Sequence, residues 1–161
     1  MDPSHPCLKA PGTVTVVIAP ELPRGRPQPT TGLLAAVRRS LSPRRVVGTR
    51  LVVVGPGYVE VSVRAAVQTS IGANAVRVRQ DVTSALDAFL DPLRGGPNGR
   101  GWPFGRDVYR SEILQQIDQV PGVDHVTSVE LDAGPGTVGC SNVCVGPTFL
   151  VTPGAHSIEV R

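Results

Sequence analysis

Residues 58–69 read Tyr58-Val59-Glu60-Val61-Ser62-Val63-Arg64-Ala65-Ala66-Val67-Gln68-Thr69. Val59, Val61, Val63, Ala65 and Val67 fall on one side of a period-two pattern, and Glu60, Ser62, Arg64, Ala66 and Gln68 on the other. Alternation sustained over this length predicts a strand with one packed face and one wet face. Such a strand belongs in an antiparallel sheet covered by helices on one side. Just upstream, Gly55-Pro56-Gly57 separates it from Arg50-Leu51-Val52-Val53-Val54. The two runs are expected to pair as a hairpin across that loop.

Working outward, Thr13-Val14-Thr15-Val16-Val17-Ile18-Ala19 is β-branched and almost wholly apolar, the pattern of a central strand. Residues 20–29 hold four prolines and predict an extended loop. Thr30 or Thr31 can cap a short helix through Leu41, with Leu33, Leu34, Val37 and Leu41 on one face and Arg38 and Arg39 outside. Ser42-Pro43 ends it, because the residue before proline is pushed out of the helical region. Asn74 opens a second helix carrying Val78, Val82, Ala85, Leu86, Phe89 and Leu93, which stops near Asp91-Pro92. After a Gly/Pro-rich loop over residues 94–106, Asp107 is expected to cap a third helix with Tyr109, Ile113, Leu114 and Ile117, ending before Pro121-Gly122. Residues 123–131 are the next strand. Beyond them the chain is broken by glycine and proline, with short strand candidates at residues 148–151 and 157–160.

The order β-α-β-β-α, loop, α, β predicts an α+β fold of the ferredoxin-like, split-βαβ kind: an antiparallel-rich sheet with helices on one face and one extra helix before the last strand. The expected division is an irregular lead-in over residues 1–12, an α+β domain over 13–131 (with 13–69 and 70–131 as its parts), and a Gly/Pro-rich tail over 132–161. No internal repeat recurs at a fixed period.

Composition removes several classes. Gly 18 and Pro 16 of 161 residues make about a fifth of the chain, against an average near 12%, which argues against a helical bundle or coiled coil. Hydrophobic residues at 40% against 18% charged exclude a disordered chain. No apolar run approaches the ~18 residues of a membrane span, and residues 1–6 show neither a basic n-region nor an apolar h-region of a secretory signal. The net charge is +3, and all but one of the 16 basic residues are arginine. They are spread along the chain, paired only at Arg38-Arg39 and Arg44-Arg45, with one neighbouring aromatic at Tyr109-Arg110. Nucleic-acid modules cluster charge or interleave it with stacking aromatics, so nucleic acid is not the expected partner.

Candidate chemistry is sparse. Gly134-Pro135-Gly136-Thr137-Val138-Gly139 matches the dinucleotide pattern by letters, but no helix follows to hold a pyrophosphate, and it is read as a turn. Asp87, Asp91, Asp107 and Glu112 lack a second polar cluster with which general acid/base work could converge. Asp107 is read as an N-cap and Glu112 as a first-turn acid facing the helix dipole. His5, His125 and His156 are isolated. Cys7, Cys140 and Cys144 are an odd set, read as reduced thiols or one local bridge. Zinc would require Cys140, Cys144, His125 and His156 together. No catalytic residue, cofactor or metal is expected, and the chain is not expected to be an enzyme. The 13-residue loop around Trp102-Pro103-Phe104 stands apart, since loops of that length in a compact domain are usually functional. Either it folds back to plug the core, or Trp102 and Phe104 anchor a partner.

Several blocks occur in a familiar order: Val14-Thr15-Val16-Val17-Ile18-Ala19-Pro20, Leu33-Leu34-Ala35-Ala36-Val37-Arg38 with Leu41-Ser42-Pro43-Arg44-Arg45, and Thr49-Arg50-Leu51-Val52-Val53-Val54-Gly55-Pro56. Tyr58-Val59-Glu60-Val61-Ser62-Val63, Leu90-Asp91-Pro92-Leu93 with Gly95-Gly96, Gly101-Trp102-Pro103-Phe104-Gly105-Arg106-Asp107-Val108-Tyr109 and Val120-Pro121-Gly122-Val123-Asp124-His125-Val126 follow. Together, over about residues 12–131, they resemble the C-terminal part of the baseplate J-like family, the baseplate assembly proteins of contractile phage tails and phage-tail-like injection systems. The resemblance implies a structural role without catalysis or cofactor. Such proteins build baseplate wedges, dimerise around a trifurcated or ring-like core, and surround the hub in six-fold hetero-oligomeric assemblies. They join hub and spike to sheath and fibres. It also implies a longer parent with a further N-terminal part, assembled in the cytoplasm and then carried in the particle. Residues 132–161 lie outside the resemblance. The expected partner-interface residues are Trp102, Phe104, Arg106 and Tyr109, with Trp102→Ala weakening assembly while leaving the fold. The alternative reading is a small nucleic-acid-binding α+β module, since ferredoxin-like sheets often bind RNA.

Overall fold

The computed structural model describes residues 12–22, 25–134, 138–139 and 141–161. The lead-in with His5 and Cys7, the turn residues 135–137 and Cys140 lie outside them. In chain order the elements are β1 (Thr13–Val17), α1 (Thr31–Leu41), β2 (Arg50–Val54), β3 (Gly57–Thr69), α2 (Ala75–Phe89), α3 (Arg110–Asp118), β4 (Val123–Asp132), β5 (Val138–Gly139), β6 (Asn142–Val143), β7 (Phe149–Pro153) and β8 (Ser157–Val160). A single 3-10 turn, Ser42–Arg44, follows α1.

The alternating strand β3 is the spine. β4 pairs antiparallel along one edge, with Ser62 opposite Asp132, Arg64 opposite Glu130 and Ala66 opposite Ser128. On the other edge β7 runs parallel to Gly57–Val61, and β8 runs parallel to Arg64–Val67. The register steps by one residue between β7 and β8. Val61, Val63, Ala65 and Val67 are buried, as their period predicts. Helices α2 and α3 cover that face with Val78, Val82, Leu86, Phe89, Ile113 and Ile117. Each large aliphatic side chain removed from water there is worth about 1.5–3 kcal/mol. Glu60 and Arg64 stay on the open face.

The α+β class holds, but the connectivity is not a split βαβ. β2 does not pair with β3; it pairs parallel with β1, Val14 opposite Leu51 and Val17 opposite Val54, with α1 as the crossover. A two-residue reversal needs positive φ at its centre. Neither Gly55 nor Gly57 has one, so the chain runs on instead of turning back. Val54 then gives its carbonyl to the Ile18 amide, and the Gly57 amide takes the carbonyl of Thr148. β1 and β2 form a two-stranded parallel sheet of their own, and the central sheet is mixed, antiparallel at β3–β4 and parallel at β3–β7 and β3–β8, so it is not antiparallel-rich. The stretch after residue 131, read as irregular, supplies β7 and β8 to the central sheet at the two places where short strands are predicted.

The capping predictions divide. Thr30 caps α1, its hydroxyl oxygen accepting from the Leu33 amide, and Asn74 caps α2 by accepting from Val76 and Arg77. Asp107 does not cap α3. The N-cap position is Tyr109, which makes no side-chain cap bond.

Candidate functional site

The loop that leaves α2 is tied down almost residue by residue. The Asp91 carboxylate accepts from the amides of Leu93 (2.8 Å) and Arg94 (2.7 Å), which ends the helix in an Asx turn. The Gly95 amide donates to the carbonyl of Asp91, and that of Gly96 to Phe89. Gly101 then returns to Gly95, and Trp102 to Pro92. This tight return needs left-handed backbone at Gly96 (φ 77°) and Gly101 (φ 92°).

The return drives Trp102 into the core, where it is 3% exposed. Its ring meets Phe89 edge to face, with centroids 5.4 Å apart and planes at 88°. Its indole Nε1 donates to the Arg106 carbonyl at 2.9 Å, so burial leaves no orphan polar atom. The Arg106 guanidinium sits 5.6 Å from the centroids of both Trp102 and Tyr109. It also donates to both carboxylate oxygens of Glu112, at 3.0 and 2.6 Å. That bidentate bond pushes the Arg106 pKa above its ordinary value.

Of the two readings of this loop, Trp102 therefore takes the plug. The expectation that Trp102→Ala leaves the fold intact gives way, because its ring is part of the core. Trp102, Arg106 and Tyr109 are brought into one stack, while Phe104 (43% exposed) and Tyr109 (42%) face solvent.

The segment after β5 locks the same region from outside. The Asp107 carboxylate accepts the Val145 amide at 2.8 Å, Val108 and Val143 bond reciprocally, and Gly105 donates to the Phe149 carbonyl. Asn142 accepts the first amide of α3, that of Arg110, at 3.0 Å, doing from a distant segment what Asp107 was expected to do locally. The four carboxylates weighed for acid/base work are thus separately employed: Asp91 in the turn, Asp107 on Val145, Glu112 on Arg106, and Asp87 beside His156.

His156, isolated in the sequence, has partners in the fold. It fills the step between β7 and β8, with its side chain 1% exposed. Nδ1 accepts the Val63 amide at 3.1 Å, while Nε2 lies 3.3 Å from Asp87 Oδ1 without meeting hydrogen-bond geometry to any group. Burial lowers its pKa, and the Asp87 charge opposes the shift. His125 lies opposite Gln68, beside Asp124. At ~3.3 Å per residue along β3 it is about 16 Å from the His156 position. The four-ligand zinc set does not gather: Cys144 is an exposed free thiol, and no metal-holding group of three ligands occurs among the described residues.

A basic segment is the second feature that piecewise reading misses. Residues 12–54 carry seven arginines and a single acid, Glu21, while the rest of the chain is net acidic. Arg38, Arg39, Arg44, Arg45 and Arg50 occupy the last turn of α1, the 3-10 turn, the loop after it and the start of β2. The signal was available by counting charge per segment. α1 buries no residue, and among described residues 12–54 only Pro27 and Leu51 are buried.

No protein-family model and no curated protein matches this chain. A solved structure does: a chain of the anti-feeding prophage (AFP) baseplate, determined by cryo-EM with six-fold symmetry imposed, has a TM-score of 0.66 at 18% sequence identity. The match covers 93% of this chain and 31% of that one, so this chain spans about a third of the length of that baseplate subunit. At this identity the likeness concerns the fold.

Proposed function

We propose that this chain is a structural component of the baseplate of a contractile, phage-tail-like injection particle, acting as part of a wedge that links hub and spike to the sheath. The observation that carries the reading is the agreement in fold, over 93% of the chain, with a subunit of the AFP baseplate. The ordered blocks that resemble the baseplate J-like family support it independently. The mechanism is geometric. A rigid sheet with a locked loop presents Phe104 and Tyr109, backed by Trp102 and Arg106, to neighbouring subunits, and many such contacts hold a ring that switches as one body. On this reading the chain is not an enzyme, assembles in the cytoplasm, and then travels in the particle with wedge, hub and sheath proteins.

The test is sedimentation of a lysate from the source cells, followed by mass spectrometry of the high-mass pellet. Co-sedimentation with sheath, tube and spike proteins is the expected result. Particles that form normally while this chain stays in the light fraction would leave common ancestry as the whole content of the likeness. A nucleic-acid module fares less well on the structure, because Tyr58 is the one aromatic that β3 places on the side of Glu60, Ser62, Arg64, Ala66 and Gln68, and its hydroxyl is tied to the Pro27 carbonyl.

A further inference from the structure

The loop joining α1 to β2 combines two features that a merely solvated loop does not need. Val46 and Val47 are 76% and 99% exposed at its tip. Around them stand Arg44, Arg45 and Arg50, with no acidic residue between Glu21 and Glu60 in the sequence. Glu60 itself is engaged by Arg26. Arg44 and Arg45 each spend one guanidinium nitrogen on a local carbonyl, that of Ser40 at 3.0 Å and that of Thr49 at 3.3 Å. A guanidinium has five N–H donors, so both are positioned by the fold with donors left over. Ser42, Arg45, Val47, Gly48, Thr49 and Arg50 line a concavity of about 450 Å³ in this loop. Its walls supply hydroxyl and guanidinium donors, one wholly apolar side chain (Val47) and no carboxylate.

We infer that this basic tip, centred on Arg45, Val47 and Arg50, is a docking surface for an acidic segment of a partner protein that also carries apolar residues. A carboxylate seated between Arg45 and Arg50 meets donors on both sides, while an adjoining apolar side chain covers Val46 and Val47. Arginine with a small apolar centre is the composition of protein interfaces. Nucleic acid is the competing occupant and fits less well. Residues 12–57 contain no aromatic on which a base could stack, and two exposed valines gain nothing against a phosphate backbone. The inference does not depend on the baseplate reading.

The test uses the full chain and three labelled probes: a synthetic peptide of alternating glutamate and valine, its glutamine counterpart, and a single-stranded oligonucleotide of similar length. Fluorescence anisotropy is expected to show the glutamate peptide binding at least about tenfold more tightly than the glutamine one, with affinity falling as salt rises from about 50 to about 300 mM. The double variant Arg45→Glu/Arg50→Glu should lose at least about tenfold for the glutamate peptide, and Arg45→Lys/Arg50→Lys, which keeps both charges but not the guanidinium forks, should lose less than the charge reversal does. Val46→Ser/Val47→Ser should weaken the peptide several-fold and leave the oligonucleotide unchanged. Equal binding of the two peptides, tighter binding of the oligonucleotide, indifference to the valine changes, or no binding of the glutamate peptide would each overturn the inference.

Discussion

Across 93 positions of sequence, the imidazole Nδ1 of His156 accepts the backbone N–H of Val63 at 3.1 Å. The register on β3 steps by one residue between β7 and β8, and that step leaves an amide of the central strand without a strand carbonyl. The histidine ring supplies the missing acceptor. Accepting at Nδ1 puts the ring proton on Nε2, which faces Asp87. A protonated ring would set N–H against N–H at Val63, so the fold selects the neutral form.

The pH dependence follows from that selection. Burial depresses the His156 pKa from 6.5, with Asp87 acting against the shift. Below 6.5 the unfolded chain takes up a proton that the folded ring does not, so stability is complete above that pH, declines as pH falls through it, and levels off once the folded ring also protonates. Urea midpoints measured at about pH 7.5 and 5.5 are expected to drop for the wild type. They should drop less for His156→Asn, whose amide oxygen can accept from Val63 at either pH. His156→Ala leaves the amide unpaired and should lose about 1–3 kcal/mol at both. Equal slopes for wild type and His156→Asn would remove the ring from the account.

Trp102 and Phe104 lie two residues apart and should respond oppositely. Trp102→Ala empties a core position and orphans the Arg106 carbonyl, with an expected loss of about 3–5 kcal/mol. Phe104→Ser changes a surface group, so the melting temperature should hold within ~2 °C. Any defect of Phe104→Ser then belongs to incorporation into particles, read by pelleting. Normal incorporation of a Phe104→Ser/Tyr109→Ser chain would remove this surface from the proposed interface.

Arg106 links two rings and a carboxylate, and lysine cannot reproduce that geometry. Arg106→Lys keeps the charge but loses the planar fork and the stacking, so a loss of about 1 kcal/mol is expected. Glu112→Gln should lose a similar amount by replacing the bidentate acceptor. In the double variant the two losses should not add, because each single change already breaks the same contact. Additive losses in chemical denaturation would show that the pair is not coupled.

What was legible in the sequence is what is local. The burial of Val61, Val63, Ala65 and Val67, the caps at Thr30 and Asn74, and the face of α2 follow from period and side-chain chemistry within a few residues. The parallel pairing of β1 with β2, and of β3 with strands about ninety residues later, left no mark at the pairing positions. Gly55-Pro56-Gly57 looked like a turn because glycine and proline punctuate turns, yet the partners of the flanking strands decided its conformation. His156 and Asn142 serve backbone groups far away in sequence, so their isolation in the sequence said nothing of their use. The choice between plug and anchor at Trp102 was undecidable locally; it turned on Phe89 and the Arg106 carbonyl being in reach.

The glycines of the loop over residues 94–106 separate those that backbone crowding requires from those that only a turn requires. A Cβ on Gly95 would collide with the carbonyl oxygens of Phe89, Ala88 and Asp91, all backbone atoms of the α2 terminus that cannot rotate away. Gly99 has a positive φ of 62°, but nothing lies within 4 Å of its would-be Cβ. Asparagine tolerates that conformation, so Gly99→Asn should stay within about 1 kcal/mol of wild type. Gly95→Ala must push the loop off α2, breaking the bonds from Gly95 to Asp91 and from Gly96 to Phe89, at a loss of at least about 2 kcal/mol. Trp102 is the sole tryptophan, so its emission reports on this loop alone. A red shift in folded Gly95→Ala and none in Gly99→Asn is the expected pair of spectra. If Gly95→Ala kept both its melting temperature and its emission, the loop could leave α2 without disturbing Trp102, and the packing of Trp102 would not depend on the glycine return.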